Sequence, residues 1–306
     1  MTKYHISHSQ IETYLYCDKK WHFSHIEKLR GREISIPPTT GSCLHEALQG
    51  FYKVPQGRRT KDILMKGAGA SLDALESMFI NKGGGNLWPE DEKKLINIRS
   101  LVTRSTIEYW NTYREDQEIS ASQTEIPAEI EIIPDRGGKV GGSSLDMVIR
   151  VDGLIYVNGE PILLEHKSMG EPDITGLELF DTQTPRYMAL LQRVGIPVSK
   201  VLYNVLPYKA PYYREKYQRV TIQKTQSEID FAWDELVDIG SEMLKKYEAG
   251  TTQPVPRGKF SKFVCKFCQY APICLTERAG HPTDMIKRSR FEAETVPPLT
   301  EEEVAE

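Results

Sequence analysis

The sequence predicts a single α/β domain with a helical insertion, and three observations lead there. Runs of alternating apolar and polar residues, bounded by Asp-Gly and Asn-Gly dipeptides, read as strands. Longer segments with apolar residues three and four apart read as helices, and the two kinds of segment interleave along the chain. At 306 residues and 39% apolar content the chain can bury a substantial core.

The elements follow in order. A helix begins near Gly41 and carries His45. Residues 56–118 read as a helical insertion in two segments, broken at Gly83-Gly84-Gly85. A strand from Thr124 to Ile133 turns through Pro134-Asp135-Arg136-Gly137-Gly138 and leads to the strand of Asp146. There Leu145, Met147, Ile149 and Val151 alternate with Asp146, Val148 and Arg150, so the carboxylate stands opposite the apolar row. Asp152-Gly153 and Asn158-Gly159 read as two turns. Beyond them Pro161-Ile162-Leu163-Leu164 runs into Glu165-His166-Lys167, where Glu165 and Lys167 share a face. An antiparallel meander then sets Asp146 beside Glu165, with Lys167 one step further.

An amphipathic helix opens at Gln183-Thr184-Pro185-Arg186-Tyr187. Gln183 and Tyr187, four apart, share its face, with Gln183 a candidate cap and Pro185 in the first turn. Strands are expected at Ser199–Leu206 and Gln218–Ile222, and a helix from Gln226 to Tyr247. Pro254-Val255-Pro256 leads into a cysteine loop at 254–280. The domain is expected to occupy 1–290, with 291–306 an acidic, disordered tail.

Two acids and a lysine at the end of a buried strand point to a metal site. Carboxylates supply the hard oxygen ligands that Mg²⁺ or Mn²⁺ takes, and a lysine adds positive charge beside them. The order Asp146, Glu165-x-Lys167 resembles the PD-(D/E)xK nuclease core. Gln183-x-x-x-Tyr187 and Gly41-x-x-x-His45-x-x-Leu48 resemble motifs of its RecB-like branch. The resemblance implies a restriction-endonuclease-like core, a mixed β-sheet flanked by helices, and phosphodiester hydrolysis. It also implies metal ligation by His45, Asp146, Glu165 and the backbone carbonyl of His166. Lys167 then assists the attacking water, and Gln183 and Tyr187 support the site. A histidine ligand suits Mn²⁺ somewhat better than Mg²⁺.

Five cysteines make no even disulfide framework, and no signal, transit or transmembrane segment is visible, so a reducing cytoplasm is expected. Cys265, Cys268 and Cys274 form a tight group, and Cys17 is the best fourth ligand. One cysteine near the start and three near the end resemble the iron–sulfur staple of Cas4-type and AddB-type nucleases. That resemblance implies a [4Fe–4S] cluster clipping the terminal regions together. Zinc held by the three cysteines with His22 or His25 is the alternative. Cys43 reads as a small buried hydrophobe.

A net charge of −4 does not mark the whole chain as a nucleic-acid binder. Locally, Arg257-Gly258-Lys259-Phe260-Ser261-Lys262-Phe263-Val264-Cys265-Lys266-Phe267 joins four cations to three phenylalanines without an acid. Such a segment stacks on unpaired bases or shields the cysteines. Lys19, Lys20, Lys28, Arg30 and Arg32 add basic surface if Cys17 is a ligand. The expected activity is a DNA exonuclease acting on single strands or free ends. Its rivals are a non-catalytic iron–sulfur DNA-binding subunit and a DNA-trimming subunit of a larger complex. No Gly-x-x-x-x-Gly-Lys-Ser/Thr loop is present, so unwinding would need a helicase or recombination partner.

Overall fold

The computed structural model describes residues 3–31, 35–82, 87–114, 119, 127–132, 144–209, 214–252, 256 and 261–293. The chain divides into two compact units. One comprises Met1–His5 and Ile34–Ser241, the other Ile6–Glu33 and Glu242–Glu306. The strands in chain order are β1 (Lys3–Ile6), β2 (Leu29–Gly31), β3 (Pro127–Ile132), β4 (Ser144–Arg150), β5 (Gly153–Val157), β6 (Glu160–Met169), β7 (Lys200–Pro207), β8 (Gln218–Gln223) and β9 (Phe291–Ala293). The longer helices are α1 (His8–Tyr16), with the single turn α2 (Asp18–Trp21) after it, α3 (Ile36–Lys53), α4 (Lys61–Lys82), α5 (Pro89–Tyr113), α6 (Ile174–Phe180), α7 (Gln183–Arg193) and α8 (Gln226–Ala249).

The first unit is built on a four-stranded sheet of order β5-β6-β7-β8. Asn158 and Gly159 both take positive φ, 53° and 83°, and close the β5–β6 hairpin in two residues. Both central residues of a type I′ turn need that backbone, which is why Asn-Gly is favoured there. β6 and β7 pair in parallel from Ile162↔Lys200 to Met169↔Pro207. A parallel pair needs a crossover, and α6 and α7 provide it. β8 returns antiparallel to β7, so the sheet is mixed.

One face of this sheet packs the main core. Ile155, Ile162, Leu164, Leu202 and Leu206 meet Leu44 and Leu48 of α3, Leu64 of α4 and Ile98 and Val102 of α5. Each fully buried aliphatic side chain contributes about 1.5–3 kcal/mol. The stretch expected as a helical insertion is therefore a layer of the core, covering the sheet with α4 and α5.

The structure corrects the expected meander. β4 does not neighbour β6; it lies in a separate three-stranded sheet of order β1-β4-β3, where Asp146 pairs with Glu131. Asp152-Gly153 is no hairpin turn, because Gly153 already belongs to β5 opposite Leu164. The Asn158-Gly159 turn alone sets the register, and it brings β5 to β6.

In the second unit, early and late segments pack together. Phe23 and Leu29 share a small core with Tyr270, Ile273 and Phe291. Tyr270 donates to the Leu29 carbonyl (2.7 Å), Tyr247 to the Gln10 side chain (2.8 Å), and Lys246 to Asp18 (3.1 Å). Lys19 pairs with Glu277. Phe291, expected at the head of the tail, is instead buried, stacks on Tyr270 at 5.2 Å and opens β9, which pairs with β2. The expected features at Gly83–Gly85, Pro134–Gly138, Pro254-Val255, Arg257–Phe260 and 294–306, together with Arg32, lie outside the described residues.

Candidate active site

β6 carries Glu165, His166 and Lys167 at the end of an apolar run, and the hairpin register decides which acid faces them. Gly153 pairs with Leu164, so the next residue back, Asp152, stands across from Glu165. The Asp152 carboxylate is held from two sides. Its Oδ2 accepts from the His166 backbone amide at 2.7 Å, and its Oδ1 lies 3.3 Å from His45 Nδ1. Burial works to raise the Asp152 pKa, yet the His45 hydrogen bond and the neighbouring imidazoles hold it below the usual carboxylate value. His45 responds in kind. Burial opposes its charge, but Asp152 and Glu165 raise its pKa.

Glu165 is 3% exposed, and burial reinforced by the Asp152 charge pushes its pKa up to about 7 against the opposing pull of Lys167. Lys167 Nζ donates to Glu165 Oε1 at 3.0 Å and to Gln183 Oε1 at 2.6 Å. Burial disfavours the ammonium, but Glu165 and Asp181 keep its pKa raised. Tyr187, one turn along α7 from Gln183, is buried, and burial with the Glu165 charge raises its pKa while Gln183 opposes. The structure thus brings His45, Glu165, Lys167, Gln183 and Tyr187 together around Asp152. Asp146 lies on β4, in the other sheet, fully buried with its Oδ2 4.0 Å from His5 Nδ1.

The His166 side chain turns to the other face of β6. Its Nδ1 meets Asn204 Nδ2 at 2.8 Å, its ring stacks on Tyr52, and burial pushes its pKa down to about 4. Only its backbone is left to serve the acidic face. Gly41 has a steric reason to be glycine, since a Cβ there would sit 2.6 Å from Ser168 Oγ, where α3 crosses β6.

Two residues were not foreseen in the sequence. Asp152 was legible by counting back from the Asn158-Gly159 turn. Asp181 precedes α7, and its Oδ2 accepts from the Thr184 amide (3.2 Å), the Thr184 hydroxyl (2.8 Å) and the Tyr203 hydroxyl (2.6 Å). Asp181, not Gln183, thus satisfies the orphan amides of α7, and Gln183 is free to hold Lys167. Asp181→Ala is expected to cost about 1 kcal/mol of stability in urea denaturation. Cleavage should slow about tenfold as Gln183 loses its position. Asp181→Asn, which still caps, should recover most of the stability.

The donor chemistry fits a divalent cation. The buried Glu165 and half-buried Asp152 carboxylates lie close together beside an imidazole, and a cation would offset both the burial and the Asp152 charge that raise the Glu165 pKa. The side chains do not, however, close around a point: among the described residues no group of three or more His, Cys, Asp or Glu is arranged to hold a metal ion. The same holds for the cysteines, so the expected iron–sulfur staple has no closed ligand cage here. All four candidate cysteines nonetheless fall in the second unit. Cys17 is buried at the start of α2, and the Cys268 amide donates to the Cys265 carbonyl at 3.2 Å. Burial pushes the Cys274 thiol up to about 11, with Cys268 and Cys17 adding to the effect. Cys43 is buried in the main core of the first unit.

Phe263 and Phe267 are each 84% exposed, so neither shields the cysteines. Lys266 Nζ lies 5.1 Å from the Phe267 ring centre and Lys20 Nζ 5.4 Å from that of Tyr16. Tyr16, Lys20, Phe267 and Cys268 line a common cavity of about 610 Å³. Among the described residues, no helix is long and apolar enough to cross a membrane.

Two solved structures are similar to this chain. A provisionally named exonuclease from Eubacterium rectale is 12% identical with a TM-score of 0.45, over 96% of this chain and 91% of that one. The crystal structure of SSO0001 is 19% identical with a TM-score of 0.35, over 60% of this chain and 76% of that one. No curated protein matches the sequence. The family profile of the PD-(D/E)XK nuclease superfamily matches residues 5–275, from the first strand through the cysteine group, and the chain belongs to that superfamily.

Proposed function

We propose that the chain is a Mg²⁺- or Mn²⁺-dependent DNA exonuclease of the RecB-like, Cas4-like branch. The observation that carries this reading is Asp152 set across from Glu165, with the Lys167 ammonium 3.0 Å from Glu165. Asp152, Glu165 and His45 would hold the cation, with the His166 carbonyl as a further oxygen ligand. When bound, the cation supplies positive charge at the phosphate and lowers the pKa of water. The remaining work belongs to the chain. Lys167, anchored by Gln183, points a charged donor at the reacting group, where it orients the attacking water and offsets charge building on the phosphoryl oxygens. The His166 amide and His45 fix the orientation of Asp152 before substrate arrives. Tyr187, buried beside Gln183, supports the site from α7.

The exposed Phe263 and Phe267, interleaved with cations, support single-stranded DNA as substrate, because rings stack on unpaired bases while ammonium groups meet phosphates. A strand led to the site by one end would be cut from that end and leave 5′-phosphate and 3′-hydroxyl products. Cys17, Cys265, Cys268 and Cys274 are proposed to hold a [4Fe–4S] cluster, supported by their shared place in the unit that joins the two terminal regions. Trimming DNA for a recombination partner is the biological role this reading favours.

Digestion of end-labelled single-stranded DNA with Mn²⁺, Mg²⁺ or EDTA, beside Lys167→Ala, tests the reading. Metal-dependent loss of label that falls at least about a hundredfold in the variant is the expected result. Tight binding without cleavage under every metal would replace the nuclease with a DNA-binding subunit, and equal cutting of circular and linear strands would replace end-dependence with endonuclease action.

A further inference from the structure

We propose that a cavity at the ends of α3 and α5 takes an unstacked nucleobase of the bound DNA strand, an assignment that rests on the nuclease reading. The cavity measures about 150 Å³, and Phe51, Tyr52, Arg59, Trp110 and Tyr113 line it together with Gly57 and Arg114. Drug-sized ligands need at least about 300 Å³, so this space suits a single planar ring system. Its walls are rings set edge to face. Phe51 meets Tyr52 at 5.2 Å and 83°, and Trp110 at 6.2 Å and 89°. Arg59 and His166 already cover the Tyr52 ring, so the half-buried Trp110 and Tyr113 are the rings on which a base of any sequence would stack.

The cavity also carries charge. The Arg59 guanidinium lies 4.7 Å from the Tyr52 ring centre and 5.7 Å from that of Phe51. Its hydrogen bonds run to the backbone carbonyls of Val54 (2.8 Å), Ile119 (2.5 Å) and Tyr52 (3.5 Å). Neutral carbonyls fix the guanidinium in place without cancelling its charge. Arg114 is the second cation of the lining, while Arg219, outside it, lies 3.9 Å from the Tyr113 ring centre and donates to the Tyr52 hydroxyl at 2.7 Å and to that of Tyr109 at 3.0 Å. Rings that accept a planar heterocycle beside cations that attract its phosphate describe a nucleotide more closely than either a plain anion or an apolar molecule.

The cavity is wired to the catalytic strand. Tyr52 stacks on the His166 ring at 5.5 Å and 24°, and the His166 amide orients Asp152. Along α3, Tyr52 lies two turns beyond His45, about 10 Å of axial rise.

The test uses the full chain in EDTA, so that nothing is cleaved, with dAMP and inorganic phosphate as probes in ligand-observed NMR. Saturable dAMP binding is expected, weakened at least tenfold in Gly57→Phe and in Trp110→Leu. A Cβ at Gly57 meets nothing within 4 Å, so the new ring can fill the cavity without displacing backbone, and melting curves confirm that it folds. Unchanged dAMP binding in both folded variants overturns the site. Inorganic phosphate binding as tightly as dAMP overturns the base and leaves an anion site. An abasic residue moved along a single-stranded oligonucleotide should weaken binding at one position. Uniform binding would show that only free nucleotide enters. An inactive wild-type chain would sink the nuclease reading while leaving these binding results intact.

Discussion

Asp152→Asn is expected to lower metal-dependent DNA cleavage by more than about a hundredfold, whereas Asp146→Asn stays within about tenfold of the native rate. The contrast follows from register. Asp152 stands across from Glu165, accepts the His166 amide and meets His45, so removing its charge takes away a ligand of the proposed metal site. Asp146 sits on β4, in a sheet that does not contain Glu165, and is paired across to Glu131. The decisive measurement is the initial rate on end-labelled single strands with Mn²⁺, beside urea melts showing that both variants fold. Activity lost in Asp146→Asn and kept in Asp152→Asn would reverse the assignment. Raising Mn²⁺ should partly rescue His45→Ala, a weaker ligand, and should not rescue Asp152→Asn.

The second large effect concerns the cysteines. Replacing Cys17, Cys265, Cys268 or Cys274 singly by serine is expected to release the metal proposed to bind there. Stability should fall by several kcal/mol, since metal-binding energy in such a site is folding energy. The cost falls on the unit where early and late segments meet, because a cluster there closes a loop of nearly the whole chain. Cys43→Ala, in the other unit's core, should lose stability through packing alone and keep its metal. Iron, sulfide and zinc per chain, measured on anaerobically purified protein, decide the case. Iron with sulfide supports the cluster, zinc alone supports the Cys₃His alternative, and the absence of both sinks the proposal.

Much of this was legible in residues one to four apart. Glu165-x-Lys167 at the end of Pro161–Leu164 announces a strand that leaves the core with two charges on one face, and β6 does so. Gln183 and Tyr187 share one face of α7, as their spacing requires. The strands at Lys200–Pro207 and Gln218–Gln223 and the helix at Gln226–Ala249 fall within two residues of their sequence patterns.

The local material is written in the chain: which segments are strands and helices, and which side chains share a face, follow from backbone periods of 2 and 3.6. Sheet register selected the acid that meets Glu165. The sequence places Asp146 in a strand and Asp152 in a turn, and the pairing turns on a register set by two positive-φ residues at Asn158-Gly159. Tertiary contacts also decided that α4 and α5 build the main core, and that Phe291 packs on Tyr270, because apolar side chains carry no record of their partner. Non-local pairing depends on sheet order and on packing across hundreds of residues, and neither leaves a periodic trace in the chain.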